Sequence, residues 1–358
     1  MKIAIISPVI RKISTKNMYG GIERIISSLA LAAANSGHHV TLYAPFGSNL
    51  EHNNIEIRLT TDKDISGSAD LIKKAETSLF KSIIADQSEF DIIHSHIEPF
   101  VARYDEDNYF FHITKPVIFT FHNLTYIESH IDYYKSNLKN NNLNYVFISQ
   151  DQAKPMSFLP NQIIIYNGID LTDLTFNAKP NLDQLAFLGR ITPEKGIVEA
   201  IQIAKMAGKK LLIAAAIDPT QYSFYETEIK PQLDGENIVY LGEVSNQQKN
   251  QLLRTSEALL FPIKWHEPFG LVLVEAMATG TPVIASGYGS VPEIIEDGKT
   301  GFIISKQDNI SDYVDKLKQI KQIDRKTCRE TVENRFSVEI MTQKYLDYYK
   351  TVIQANII

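Results

Sequence analysis

The sequence predicts two consecutive doubly wound α/β domains, each a parallel sheet wrapped by helices. The chain has 358 residues, more than one hydrophobic core usually serves. Short apolar runs of strand length alternate with helical patterns along it, and parallel strands buried on both faces read as such continuous runs. The alternation breaks once, in the turn-rich segment YNGIDLTDLTFNAKPNL, and then starts again.

In chain order, KIAIIS opens the first domain as a buried strand. The apolar run of MKIAIISPVI stops at Pro8 and carries no small-residue cleavage site, so it reads as a strand and not as a signal peptide. The segment IERIISSLALAAANSG has apolar positions at helical spacing and stops at Gly37. HVTLYA, FDIIHSH, KPVIFTFH, NYVFIS and QIIIYN continue the first set of strands, and the asparagine-rich KSNLKNNNLN reads as a surface loop. Asn, Asp, Gly and Pro place the linker near residues 168 to 182. QLAFLGR, KKLLIAAA, NIVYLGE, EALLFPI, TPVIAS and GFIIS form the second set. The final VEIMTQKYLDYYKTVIQANII is helical and aromatic on one side; it either packs locally or crosses back to the first domain. The expected division is therefore 1–168, joined by 338–358, and 169–337.

Composition narrows the function. With 44% hydrophobic and 22% charged residues the chain is an ordinary soluble globular protein. A formal net charge of -6 argues against a dedicated nucleic-acid partner. Cys328 is the one cysteine, which excludes an internal disulfide framework and fits a reducing, cytoplasmic setting. No apolar segment approaches the roughly 20 residues that span a bilayer.

The chemistry concentrates at strand ends, where ligands bind in open α/β sheets. In EPFGLVLVEAMATGTPVIAS, residues 267–286, a helix is expected to begin around Phe269 or Gly270. Glu267 then lies just outside it and Glu275 within its body. Amides at Gly270 and Leu271 would suit an anion such as a diphosphate. Glu267, repelled by that anion, fits sugar hydroxyls, and Glu275 fits a ribose; the alternative is a pair of dipole-complementing or solvated carboxylates. In FLGRITPEKG, residues 187–196, Arg190 and Lys195 could hold phosphate oxygens, or could be solvated charges of a capped turn. Gly20 and Gly21 of YGGIER suit a phosphate or simply a tight connection.

Strand-end histidines His94 and His96 of DIIHSH and His122 of FTFHN could position sugar hydroxyls, with His94 favoured as a satisfied core histidine. None has a metal-ligand spacing. The pairs Asp62 with Asp64 and Asp105 with Asp107 lie in polar, loop-like surroundings and are assigned to the surface. No P-loop, GxSxG elbow or HExxH occurs.

Taken in order, YGGIER, GHHVTLYAP, DIIHSH, TFHN, YNGID, FLGRITPEKG, LGEV, FPIKWHEPFGLVLVEAMATGTPVIAS and VPEIIEDGKTGFII resemble family 4 of the retaining glycosyltransferases, the glycosyl transferases group 1, over about residues 2 to 305. Within it the arrangement is most similar to bacterial sugar transferases of antibiotic and surface-polysaccharide pathways. The resemblance implies a GT-B fold, two Rossmann-like domains facing across a cleft, with the nucleotide sugar mainly on the second and the acceptor mainly on the first. It implies a metal-independent hexosyltransferase, class EC 2.4, that retains anomeric configuration and needs no cofactor beyond a UDP- or GDP-hexose co-substrate.

Carried over residue by residue, Arg190 and Lys195 match the diphosphate cations, and Gly270 with Leu271 the amides on the same group, with Phe269 beside them in the donor motif. Glu267 matches the carboxylate on the donor sugar and is assigned a catalytic role, and Glu275 matches the ribose contact. Gly20 and Gly21 match the glycine loop of the first domain. His122 matches the catalytic cleft histidine near the transferred sugar, and His96 is an acceptor-side candidate. Asn123 departs from the aspartate of many relatives, which leaves His122 without that charge partner. No residue declares itself a nucleophile, so front-face attack, with the donor phosphate taking the acceptor proton, is the expected route. The acceptor is a hydroxyl of a saccharide, a lipid-linked saccharide or a small molecule; a lipid-linked one would add peripheral contact with the inner membrane. The competing readings are another GT-B sugar-nucleotide enzyme, of epimerase or phosphorylase type, and a catalytically silent sugar-nucleotide-binding protein.

Overall fold

The structure is a computed structural model that describes residues 1–15, 20–99, 103–104, 107–123, 130–137, 143–305 and 309–356. The chain divides into two compact units, Met1–Gly168 with Val338–Ile358, and Ile169–Ser337.

The first unit is built on β1 (Lys2–Ile6), β2 (His39–Ala44), β3 (Ile55–Leu59), β4 (Ile92–Ser95), β5 (Val117–Phe121), β6 (Asn144–Phe147) and β7 (Gln162–Ile164). They form one parallel sheet in the order β3-β2-β1-β4-β5-β6-β7. Helix α1 (Gly21–Asn35) follows β1 and buries Ile25, Ile26, Leu29, Ala30, Ala33 and Ala34, the stripe its 3.6-residue spacing predicts. Helix α2 (Ala69–Asp86) begins on Ser68, whose hydroxyl accepts from the Leu71 amide. Residues alternate along the central strands. Ile93, Phe119 and Phe121 enter an aromatic-rich core with Phe80, Phe110, Tyr145 and Phe147, and full burial of each such side chain stabilises by about 1.5–3 kcal/mol. His94 and Thr120 take the opposite face.

That opposite face is covered by the C-terminal helix Val338–Ala355, which packs against α1 and buries Met341, Tyr345, Leu346, Tyr349 and Val352. Tyr348 donates to the Asn161 carbonyl at 2.9 Å, and the Gly168 amide lies 3.0 Å from the Met341 sulfur.

The second unit repeats the plan with β8 (Asn181–Ile191), β9 (Lys210–Ile217), β10 (Ile238–Gly242), β11 (Ser256–Phe261), β12 (Val283–Ser286) and β13 (Gly301–Ile304). Its parallel sheet runs β10-β9-β8-β11-β12-β13. Helix α3 (Ile197–Ala207) follows β8, α4 (Asn246–Thr255) precedes β11, and α5 (Leu271–Ala278) follows it. In α4, Ser245 and Gln248 form a reciprocal capping box. In each sheet the first strand is central and its two neighbours are reached by opposite turns of the chain, which opens a crevice at the carboxyl ends of β1 and β4 and of β8 and β11.

Candidate functional site

In the second unit the β8–α3 and β11–α5 connections are stitched together. After β8 comes a single turn, Pro193–Lys195, and then Gly196 at φ 73. A Cβ at Gly196 would lie 1.8 Å from the Pro262 carbonyl oxygen, so only glycine lets the two loops meet. The Lys264 amide donates to the Glu194 carbonyl at 2.8 Å, and the Lys264 and Glu199 side chains form an ion pair.

This contact delivers Lys195 to Glu267. Lys195 Nζ lies 2.6 Å from Glu267 Oε2, both side chains 13% exposed. The Trp265 indole Nε1–H donates to the same oxygen at 3.0 Å, and Lys195 Nζ sits 4.6 Å from the Trp265 ring centroid. Oε2 is thus taken by protein donors, and no described residue donates to Oε1. The Glu267 backbone is fixed from behind: its carbonyl accepts from the Ser290 amide at 2.9 Å. Gly289, at φ 60, passes so close that a Cβ there would come within 2.4 Å of the Glu267 backbone.

Helix α5 starts at Leu271, just beyond the expected start around Phe269 or Gly270, because Gly270 adopts φ 82 and caps it from outside the helix. The Leu273 amide donates to the Gly270 carbonyl at 3.0 Å, and the amides before it, at the helix start, have no intrahelical acceptor. Phe269 is buried against Phe336, with ring centroids 5.9 Å apart, and its carbonyl accepts from the Ser290 hydroxyl at 2.7 Å. Its contribution is therefore to hold the helix start, since the ring is not open to a ligand.

Arg190 does not join Lys195 and Glu267. Its guanidinium is about half exposed and lies 3.3 Å from Asp218 Oδ2. Asp218 is itself held by the amide and hydroxyl of Thr220, which together with Arg190 lower its pKa. Glu275, within α5, is buried, and Lys249 Nζ of α4 meets its Oε1 at 2.6 Å. Lys249, Trp265, Asp218 and Gly289 escape a reading of the sequence. Of these only Trp265, the chain's single tryptophan and two residues from Glu267, gave a local signal.

In the first unit the carboxyl edge is histidine-rich and without ion pairs among the groups described. His94 is fully buried, with Nδ1 2.6 Å from the Tyr349 hydroxyl and Nε2 2.7 Å from Thr120 Oγ1. Thr120 is in turn 2.9 Å from the Tyr345 hydroxyl. His96 is 3% exposed, with Nδ1 2.8 Å from Nε2 of His122 and its rings 4.2 Å from His94 and 5.1 Å from His122. Burial lowers the pKa of all three, to about 3 for His94 and about 4 for His122. Nearby Glu98 is buried, hydrogen-bonded by the Tyr134 hydroxyl, and pushed up to about 8. At neutral pH the histidines are uncharged.

Gly20 stands at φ 113 and Gly21 begins α1. A Cβ at Gly20 would lie 2.2 Å from Glu23 Oε2, so this turn is folded onto a buried carboxyl group whose pKa burial raises. Asp62 and Asp64 are exposed, Asp64 accepting from the Ser66 amide. Asp105 and the side chain of Asp107 lie outside the described residues, as do residues 138–142 of the expected surface loop. Among the described residues no cluster of His, Cys, Asp or Glu is arranged to hold a metal ion, and no helix is long and apolar enough to cross a membrane.

Comparison with known proteins places this geometry in a family. A 41.2 kDa uncharacterized protein of the cps region of Klebsiella pneumoniae is 31% identical over 172 residues, 47% of this chain and 46% of that one. The chain spans about half the length of the curated relatives it matches. Among solved structures, sucrose-phosphate synthase from Thermosynechococcus elongatus superposes with a TM-score of 0.79 at 19% identity, covering 99% of both chains. An Anabaena protein, HepE, solved with UDP and glucose, gives 0.72 at 17% identity, covering 98% of this chain and 100% of its own. The family models Glycosyltransferase Family 4 and Glycosyl transferases group 1 match residues 19–173 and 174–337 in succession. The chain therefore belongs to the group 1, family 4 glycosyltransferases and has their GT-B fold of two Rossmann-like α/β sheets.

Proposed function

We propose that this protein transfers a hexose from a nucleotide-diphosphate sugar to a hydroxyl acceptor, with retention of anomeric configuration and without a metal ion. The observation that carries the reading is the contact of Lys195 with Glu267 at 2.6 Å, where β8 and β11 end beside the amides that open α5. Breaking the bond between the anomeric carbon and the donor oxygen puts negative charge on the departing diphosphate. Lys195 has three N–H donors, of which Glu267 engages one, and the others meet that charge together with the Gly270 and Leu271 amides. Arg190, exposed and held only by Asp218, reaches the same group by exchanging one oxygen partner for another.

Glu267 then divides its labour. Oε2 is occupied by Lys195 and Trp265, and Oε1 accepts from a hydroxyl of the transferred hexose. Glu275, charge-balanced by Lys249, takes the ribose. The first unit binds the acceptor, with Gly20 and Gly21 supplying backbone to the phosphates and His122 a hydrogen bond to the sugar. The acceptor oxygen forms its bond to the anomeric carbon on the face the diphosphate leaves, and the departing phosphate oxygen takes the acceptor proton.

HepE has been solved with UDP, with UDP and glucose, and with UDP-glucose, which favours a UDP-hexose as the first donor to try. Incubation with UDP- and GDP-hexoses, with and without chelator, should give calorimetric binding together with slow hydrolysis or transfer, and an α-linked donor should yield an α-linked product. Binding with neither hydrolysis nor transfer to any acceptor pool would leave a sugar-nucleotide-binding protein in place of the enzyme.

A further inference from the structure

We propose that His96 is a positioning residue that locks His122 in its Nδ1–H tautomer and so makes it a fixed hydrogen-bond donor. This rests on the reading that His122 meets the transferred sugar.

The argument begins with the sheet. His94 and His96 stand two apart at the end of β4, and Thr120 and His122 two apart at the end of the adjacent β5. Side chains two apart share a face, so the four make two polar rungs, His94 to Thr120 at 2.7 Å and His96 to His122 at 2.8 Å. In the second rung two ring nitrogens face each other, and one must donate to the other.

The far nitrogen of His96 decides which. His96 Nε2 is buried with no hydrogen-bond partner among the described residues. If His122 donated its Nε2–H to His96 Nδ1, the neutral His96 would carry its proton on Nε2, as an orphaned buried N–H. Such donors are the rarest unsatisfied groups in folded proteins and cost about 1–3 kcal/mol. If instead His96 donates Nδ1–H to His122 Nε2, its own Nε2 keeps only a bare lone pair against the wall. A doubly protonated His96 is excluded by the same burial, which with the neighbouring rings drives its pKa well down. His96 is therefore the donor, His122 Nε2 the acceptor, and the proton of neutral His122 sits on Nδ1.

No described residue hydrogen-bonds Nδ1 of His122, and the residue is only partly buried. Nδ1 thus carries the N–H, and the basic Nε2 is used by His96. In this state His122 can steady an oxygen of the sugar but cannot take the acceptor's proton, which leaves that proton to the departing phosphate.

Histidine-labelled full-length protein tests this directly through its imidazole 15N shifts at neutral pH. His122 and His96 should both show a protonated Nδ1 and a bare Nε2, the reverse of the tautomer that free histidine prefers; a protonated Nε2 on His122 overturns the proposal whatever the activity. His96→Asn keeps an N–H near the position of Nδ1 and should preserve the His122 tautomer and its low pKa. His96→Leu removes the donor, so His122 should titrate at higher pH and redistribute toward Nε2–H, and kcat should fall about tenfold, one hydrogen bond's worth, with little change in KM for UDP-glucose. Identical His122 titration in the two variants also overturns it. His122→Ala separates the premises: unchanged turnover of UDP-glucose removes His122 from the reaction while the tautomer lock, read in the unmodified protein, stands.

Discussion

Both sheets place their first strand at the centre and open a crevice on the same side of the same pair of strands, yet the two crevice edges are furnished differently. In the first unit the edge carries His94, His96, His122 and Glu98, all shifted by burial toward their uncharged forms. In the second it carries Lys195 against Glu267 and Lys249 against Glu275, each pair at 2.6 Å. Burial penalises an isolated charge, and a group escapes by losing the charge or by finding an opposite one. The first edge takes the former course and the second the latter. Neutral donors and acceptors suit hydroxyls, whereas retained cations suit a diphosphate, so in the proposed reaction one topology would serve both ends through the choice of side chains alone.

The contrast breaks first at Lys249. Lys249→Met should remove the cation paired with the buried Glu275 carboxylate and destabilise the second unit by about 3–5 kcal/mol. The double variant Lys249→Met with Glu275→Leu should regain most of that stability without regaining donor affinity. Urea unfolding and calorimetry read the two effects separately. A cost below about 1 kcal/mol for the single variant would mean that Lys249 is not what holds the Glu275 carboxylate.

Lys195→Ala comes next. It should lower transfer by about 10²–10³-fold, the loss expected for one group on a developing negative charge, and weaken donor binding while the fold survives, because Lys195 retains solvent contact. Unchanged kinetics would remove Lys195 from the diphosphate and with it the functional meaning of the charged edge.

How these groups come together marks what a sequence reveals. The strand runs, the linker region, and Lys195 and Glu267 as strand-end residues are local features, and local periodicity exposes them. The partnerships are not local. Lys195 and Glu267 are 72 positions apart and Lys249 and Glu275 are 26 apart, so their pairing needs the order of strands and helices in space. Lys249 sits in a polar helix whose pattern says only that it is amphipathic; its burial follows from α4 lying beside α5. His96 and His122 were each visible as strand-end histidines, but their hydrogen bond depends on β4 and β5 being neighbours. Gly289 was hidden for a similar reason, since the backbone it must clear belongs to the Glu267 loop.

A smaller effect tests whether Trp265 is part of the charged edge or merely packed beside it. Trp265→Phe keeps an aromatic face under Lys195 and removes the N–H that Glu267 Oε2 accepts. A hydrogen bond to a charged group is worth about 1.5–3 kcal/mol, so donor affinity should fall roughly tenfold or more by calorimetry, with thermal stability little changed. If affinity holds, Lys195 alone orients Glu267.

The smallest effect per unit of pH tests the neutral edge. The three histidines have folded pKa values below the usual 6.5, so between about pH 4 and 6.5 the unfolded chain binds more protons than the native one, and stability rises with pH. Glu98 has the opposite sign. Its folded pKa of about 8 stands above its ordinary 4.5, so the native state holds the extra proton and stability falls as pH rises between those values. Below pH 6.5 the histidines outnumber it and the net slope is upward. Between about 6.5 and 8 the histidines drop out and Glu98 contributes a slope of at most about 1.4 kcal/mol per pH unit. Thermal unfolding should therefore peak near pH 6.5, and Glu98→Gln should flatten the descending side while leaving the rise intact. A descending side unchanged in Glu98→Gln would mean that Glu98 does not carry it, leaving it to another buried carboxyl group such as Glu23.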